Sequence, residues 1–239
     1  MKGKVVLIVG GTGGIGEATA RLMALHGATV AIAGRNRKKA EKIATELTTQ
    51  KSSAKAFEVD VTNPTSVKKM AAQVEQKLGK IDVLVNAFGL GVIKPFAEIK
   101  ATEAKEVIDV NVYGTFIVTQ TVIEHMNTKS PTNVIMFPGT MGKYVMKHAS
   151  VYNASKFAIQ GFTKALIDEL KRETIRFSLL YLGGVNTPFW DDERVKMRVK
   201  KESMLDPKTV ARTVLSTVAM PTPGVVNEIV LQPESHQLV

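Results

Sequence analysis

The sequence contains no cysteine. That excludes disulfide frameworks, thiolate metal sites and cysteine nucleophiles, and it fits a reducing compartment. No run approaches the roughly 18 consecutive apolar residues of a membrane-spanning helix. The apolar stretch from Val5 to Val9 is too short for a signal segment, and no cleavage-like site follows it. These absences predict a soluble cytoplasmic protein with no membrane partner. Repeats, low-complexity tracts and Pro/Gly/Ser-rich linkers are also missing. His26, His125, His148 and His236 fall at no metal-ligand spacing, so no metal site is expected. Acidic residues are in deficit, 22 against 32 basic, which gives a net charge of +10. No aromatic-interleaved basic stretch accompanies that charge, so a solvated surface is the preferred reading and no nucleic-acid partner is expected.

At 239 residues, 44% hydrophobic and 23% charged, the chain can bury a substantial core. Short runs rich in Val, Ile and Leu at 4–9, 28–33, 54–59, 81–86, 132–137, 174–181 and 226–231 read as strands buried on both faces. Helical patterns lie between them at 14–26, 36–50, 64–78, 102–127, 150–172 and 207–219. This alternation predicts an α/β fold with right-handed crossovers: a doubly wound parallel sheet of about seven strands flanked by helices, in a single domain over 1–239. The charged segment 187–205 is an excursion before the last helix and reads as a substrate lid.

The first strand runs into Gly10-Gly11-Thr12-Gly13-Gly14-Ile15-Gly16, and a helix follows. Glycines there permit a tight turn and let backbone N–H groups approach a pyrophosphate at the helix N-terminus. The context of strand before and helix after is the one a dinucleotide loop requires. A carboxylate for ribose hydroxyls is expected about 20 residues on. The sequence instead reads Gly34-Arg35-Asn36-Arg37-Lys38. Guanidinium pairs phosphate in bidentate fashion, so Arg35 points to the 2′-phosphate of NADP(H) rather than to NAD(H).

Tyr152 and Lys156 stand at i and i+4 of a helical pattern and share a face. A free phenol titrates near pH 10, and a neighbouring ammonium favours the phenolate, so the pair is a plausible acid/base device.

These motifs, taken in order, resemble the short-chain dehydrogenase/reductase family over essentially the whole chain. Val9 to Gly16 is similar to the family's TGxxxGxG, with Val9 in the threonine position. Asp60-Val61 stands where members contact adenine. Asn86-Ala87-Phe88-Gly89 resembles NNAG, keeping its first Asn and its Gly, and Asn111-Val112-Tyr113-Gly114 resembles NxxG. Leu182-Gly183-Gly184-Val185-Asn186-Thr187 resembles PGxxxT with leucine for proline. The resemblance implies a Rossmann-type fold and an NADPH-dependent carbonyl reductase or alcohol dehydrogenase. It implies Tyr152 as acid/base, Lys156 on the nicotinamide ribose and lowering the tyrosine pKa, and Asn111 holding a water of the proton relay. It implies cofactor contacts from Gly10, Thr12, Gly13, Gly14, Ile15, Gly16, Arg35, Asn36, Asp60, Val61, Asn86, Ala87, Gly89, Gly183, Val185 and Thr187. It also implies a homotetramer or dimer built on the helices near 102–127 and 150–172, acting on a small carbonyl or alcohol.

One expected group is absent. The family's substrate-binding serine lies thirteen residues before the tyrosine, and that position is Gly139. Three readings stand open. Thr140 supplies the hydroxyl, although strand alternation points it the other way. The Gly139 N–H donates instead, with the extra space admitting a bulkier substrate. Or the protein binds NADPH with weak catalysis or none. Met141, Tyr144, Met146, Phe189 and Trp190 either line an apolar substrate pocket, with Tyr144 and Trp190 as substrate contacts, or pack the core.

Overall fold

The computed structural model describes residues 1–48 and 53–235. The end of the helix expected at 36–50 and His236 lie outside the described residues. Seven strands, β1 (Val5–Val9), β2 (Thr29–Gly34), β3 (Ser53–Glu58), β4 (Val83–Asn86), β5 (Thr132–Met136), β6 (Ile175–Leu182) and β7 (Glu228–Leu231), form one sheet. Their order is β3-β2-β1-β4-β5-β6-β7, and every pairing is parallel. The predicted doubly wound sheet is present.

The apolar strands serve two cores at once. In β1, Leu7 and Val9 enter one core, while Val6 and Ile8 enter the other. Period-two alternation sends neighbouring side chains to opposite faces, so a continuous apolar run satisfies both. The first face is covered by α3 (Pro64–Leu78), α5 (Gly114–Ile123) and α6 (Ser150–Glu169). The second is covered by α1 (Gly14–Leu25), α2 (Arg37–Leu47) and α7 (Pro207–Val218). Each fully buried Leu, Ile or Val contributes on the order of 1.5–3 kcal/mol.

The long helix expected over 102–127 is instead three pieces. α4 (Ala101–Ile108) passes through a π-helical turn at Asp109–Tyr113 into α5. One widened turn re-aims a side chain without changing the apolar pattern, so periodicity does not register it.

The chain winds β1 to β3 toward one edge, then returns to place β4 on the other side of β1. The carboxyl ends of β1 and β4 therefore flank a crevice, the place where open α/β sheets bind ligands. Asn36, Asn63 and Asp206 cap α2, α3 and α7 by accepting backbone N–H bonds. Gly13, at the start of α1, supplies no such cap. The orphan amides of that helix end open onto the crevice with the positive end of the helix dipole.

Candidate active site

Gly10 adopts φ +85, and a Cβ there would stand 2.6 Å from the carbonyl of Ala87 and the nitrogen of Phe88. A Cβ on Gly16 would collide with the Gly10 carbonyl oxygen. Only glycine lets β1 turn this tightly against β4 and present the end of α1. A Cβ on Gly14 would stand 2.7 Å from Thr187 Cγ2, so the segment after β6 lies across the same helix end. Thr12 reaches toward Gly34 at the end of β2, where its hydroxyl would lie 3.2 Å from a Cβ on that glycine.

Arg35 follows directly, exposed and without an ion pair among the described residues. It shares a groove with Asp60, Ser66 and Lys69. Asn36 uses its side-chain oxygen to cap α2, accepting from Lys39 N at 2.9 Å. Asp60 is exposed and folds its carboxylate back on Thr62, 2.9 Å from the amide and 2.7 Å from the hydroxyl. Val61 packs against Gly114 at the start of α5.

Other expected contacts carry structural duties. Asn86 turns its amide nitrogen to Thr119 Oγ1 and Met136 Sδ, and its buried oxygen has no partner among the described residues. Ala87 donates its N–H to Val9 at 2.8 Å. Gly183 donates to Leu231 at 2.8 Å and packs on Pro233, and the Val185 carbonyl accepts the indole N–H of Trp190 at 2.8 Å.

The catalytic candidates meet at the crevice. Asn111 lies in the π-helical turn, fully buried. Its side chain accepts from Leu90 N at 2.9 Å and donates to Leu90 O at 2.8 Å and Ser155 Oγ at 3.0 Å. Ser155 in turn donates to the Tyr152 carbonyl at 2.7 Å. A Cβ on Gly89 would stand 3.2 Å from Asn111 Oδ1 and 3.8 Å from Lys156 Nζ. Lys156 donates to Phe137 O at 2.9 Å, with its ammonium 5.4 Å from the centroid of the Tyr152 ring. Leu90, Ser155 and Phe137 are hydrogen-bond partners of these candidates that the motifs did not name. Ser155 lies inside the Tyr152–Lys156 stretch and was within reach of a helical-spacing argument.

The ionisation differs from the expected pattern. Burial pushes the Tyr152 phenol up rather than letting Lys156 bring it down. Burial also pushes the Lys156 ammonium down to about 8. Lys156 is buried, and the ammonium's described hydrogen bond goes to a backbone carbonyl.

Gly139 adopts φ 65 and ψ 173, a backbone region that is essentially glycine-only. β5 has already ended at Met136 and a 3-10 turn begins at Thr140, so strand alternation no longer governs where Thr140 points. Thr140 is 5% exposed, and its hydroxyl bonds to no group among the described residues. The Gly139 N–H is likewise without a partner among them. Tyr144 offers its carbonyl to Asn153 Nδ2 at 2.9 Å. The segment 187–205 docks by a bridge between Ile93 and Val195, and Arg194 pairs with Glu106 and Asp192. Phe189 reaches the Tyr152 ring, with centroids 5.6 Å apart, and Trp190 meets Phe189 edge-on.

An α/β oxidoreductase site of this shape has known counterparts. The sequence matches the model of the short chain dehydrogenase family over residues 4–198, and the chain belongs to that family. It is 30% identical to an uncharacterised oxidoreductase of Staphylococcus aureus over 230 residues, 96% of this chain and 97% of the relative. A relative from Staphylococcus saprophyticus is also 30% identical, over 98% of both chains. Among solved structures, an alcohol dehydrogenase of the archaeon Thermococcus sibiricus, complexed with 5-hydroxy-NADP, superposes with a TM-score of 0.90 at 26% identity over 99% of each chain. An actinorhodin polyketide ketoreductase variant with NADPH gives 0.86 at 27% identity, covering 96% of this chain and 95% of that one.

Two outcomes follow from the site geometry. Gly139→Ser places a side chain in a glycine-only conformation, so urea unfolding should show a loss of about 1–3 kcal/mol. An unchanged midpoint would show that the turn relaxes freely. Lys156 is held below its ordinary 10.5, so the unfolded chain binds the extra proton between about 8 and 10.5. Stability should therefore rise with pH from about 8 until the raised Tyr152 opposes it above about 10. Lys156→Met should flatten that rise in urea midpoints, and an identical pH profile in the variant would contradict the assignment.

Proposed function

We propose that the protein is an NADP(H)-dependent carbonyl reductase in which Tyr152 transfers the proton. The observation that carries this reading is the packing of Lys156 and Tyr152, with Asn111 and Ser155 bracing them, beside an uncapped helix end. The residues present fit the cofactor. The cradle at Gly10 and Gly16 would be filled by any Cβ, the uncapped amides of α1 would face an anion, and Arg35 forms no ion pair among the described residues. The NADP and NADPH complexes of the Thermococcus sibiricus and actinorhodin neighbours support the same choice.

Bound NADPH would supply the electron pair, from its nicotinamide to the carbonyl carbon. Tyr152 gives its phenolic proton to the carbonyl oxygen, which completes the alcohol. Lys156 stabilises the phenolate left behind, and its ammonium, held near 8, releases a proton more readily than an ordinary lysine. Asn111 and Ser155 keep the helix turn that carries Tyr152 against the loop at Leu90. The free N–H of Gly139 faces no competitor among the described residues and takes the place of the serine hydroxyl as donor to the substrate oxygen. Segment 187–205 closes over this substrate. Exposed Phe96, Ile108, Phe116 and Phe157, on and beside α4, α5 and α6, support a homo-oligomer through that face.

Tyr152→Phe should abolish NADPH consumption on carbonyl compounds while NADPH binding, followed by titration, stays intact. Substantial turnover in the variant would remove Tyr152 from the acid/base role. Arg35→Ala should weaken NADPH by about 1.5–3 kcal/mol and leave NADH unchanged, as loss of a charged hydrogen bond requires. An equal loss for both cofactors would reject the 2′-phosphate contact.

A further inference from the structure

The wall above Tyr152 is built of apolar side chains. Ile93, Ala149 and Val195 are buried there, with Met146, Phe189 and Trp190 packed against them. Phe189 is seated in a notch. A Cβ on Gly91 would come within 2.5 Å of Phe189 Cζ and 2.7 Å of Cε2, and the same atom would lie 3.5 Å from Tyr152 Cδ2. Gly91, Phe189 and Tyr152 therefore meet at one point, and a Cβ on Gly91 would force the Phe189 ring to shift. The two rings are tilted by 36°. Behind Phe189, the Trp190 ring stands edge-on at 5.2 Å and is tied by its indole N–H to Val185 O. Phe189 thus covers Tyr152 from a seat between a bare backbone and a tethered ring.

The basic residues around this cluster are mostly paired with carboxylates. Arg194 is taken by Asp192 and Glu106, Lys196 by Glu98, and Lys201 by Asp191. Lys94, buried next to Ile93, is paired with Glu103 at 2.7 Å. Lys147, Arg198 and Lys200 lack such a carboxylate among the described residues, but all three are exposed to solvent. The Lys156 ammonium below Tyr152 is buried and bonded to the Phe137 carbonyl, so an anionic substrate entering between Ile93, Met146 and Phe189 would lose its water among apolar side chains, whereas a neutral ring would gain by burial.

From this we infer that the site takes uncharged, apolar carbonyl compounds, and that Phe189, seated against Gly91, limits their size. The inference rests on the reading of Tyr152 as the proton donor. A bulky ketone reaches the Tyr152 hydroxyl only when Phe189 leaves its seat, while a small aryl aldehyde can lie against the ring.

The test uses the intact protein with NADPH and three probes: methyl 4-formylbenzoate, its anionic counterpart 4-carboxybenzaldehyde, and the bulkier neutral diketone benzil. The ester should have a KM at least about tenfold below that of the acid. Phe189→Ala should raise kcat/KM for benzil relative to the ester by about tenfold or more, and Phe189→Leu should move it the same way by less. Gly91→Ala should displace Phe189 and shift the emission of Trp190, the sequence's single tryptophan, whether or not activity survives. Equal KM values for ester and acid would overturn the substrate class. An unchanged benzil ratio in both Phe189 variants would overturn the size limit. If no probe is turned over, the reading of Tyr152 fails, and quenching of Trp190 emission then decides the substrate class alone. Saturable quenching by the ester and not by the acid upholds it, and saturation by the acid or by neither overturns it.

Discussion

The buried amide of Asn111 joins three stretches of chain that are far apart in sequence, and the geometry of the crevice follows from it. It holds both backbone groups of Leu90, at the loop after β4, and the hydroxyl of Ser155 in α6. That hydroxyl is committed to the carbonyl of Tyr152. A buried amide left with unmet partners costs about 1–3 kcal/mol for each orphaned group, so the arrangement is strongly determined. The π-helical turn brings Asn111 to this position. With it in place, Gly89, Lys156 and Tyr152 occupy one small region.

The opposite wall of the crevice depends on backbone proximity rather than on side chains. Gly10 against Ala87, and Gly16 against Gly10, leave no room for a Cβ, which sets the end of α1 at the point where the sheet changes direction. Because α1 lacks a side-chain cap, its amides stay available for an anionic ligand. Electrostatics and packing therefore converge on a single edge of the sheet. Thr187 packs on Gly14 while Phe189, two residues later, packs on Tyr152, so one segment spans the crevice from the end of α1 to the Tyr152 ring.

The parallel sheet was legible in the sequence because its strands are apolar on both faces, and the glycine loop because its chemistry requires that residue type at fixed spacing. Helical spacing put Tyr152 and Lys156 on one face, but their reading as an acid/base pair rested on the family resemblance. Leu90 and Phe137 were not, because they act through main-chain groups that any residue supplies. The π turn at Asp109–Tyr113 leaves the apolar pattern intact, so 102–127 reads as one helix. At Gly139 the sequence reveals only a missing hydroxyl. The left-handed backbone there shows that the turn itself is built for glycine. The seat of Phe189 on Gly91 couples residues about a hundred positions apart, beyond any local pattern.

The central claim is that this serine-less site reduces a carbonyl at the expense of NADPH. Its most direct measurement is isotope transfer from NADPH deuterated at the transferable C4 position to methyl 4-formylbenzoate, read by mass spectrometry of the product. The account predicts an alcohol carrying a single deuterium at the former carbonyl carbon. Product without deuterium, or no product while NADPH remains bound, would contradict it.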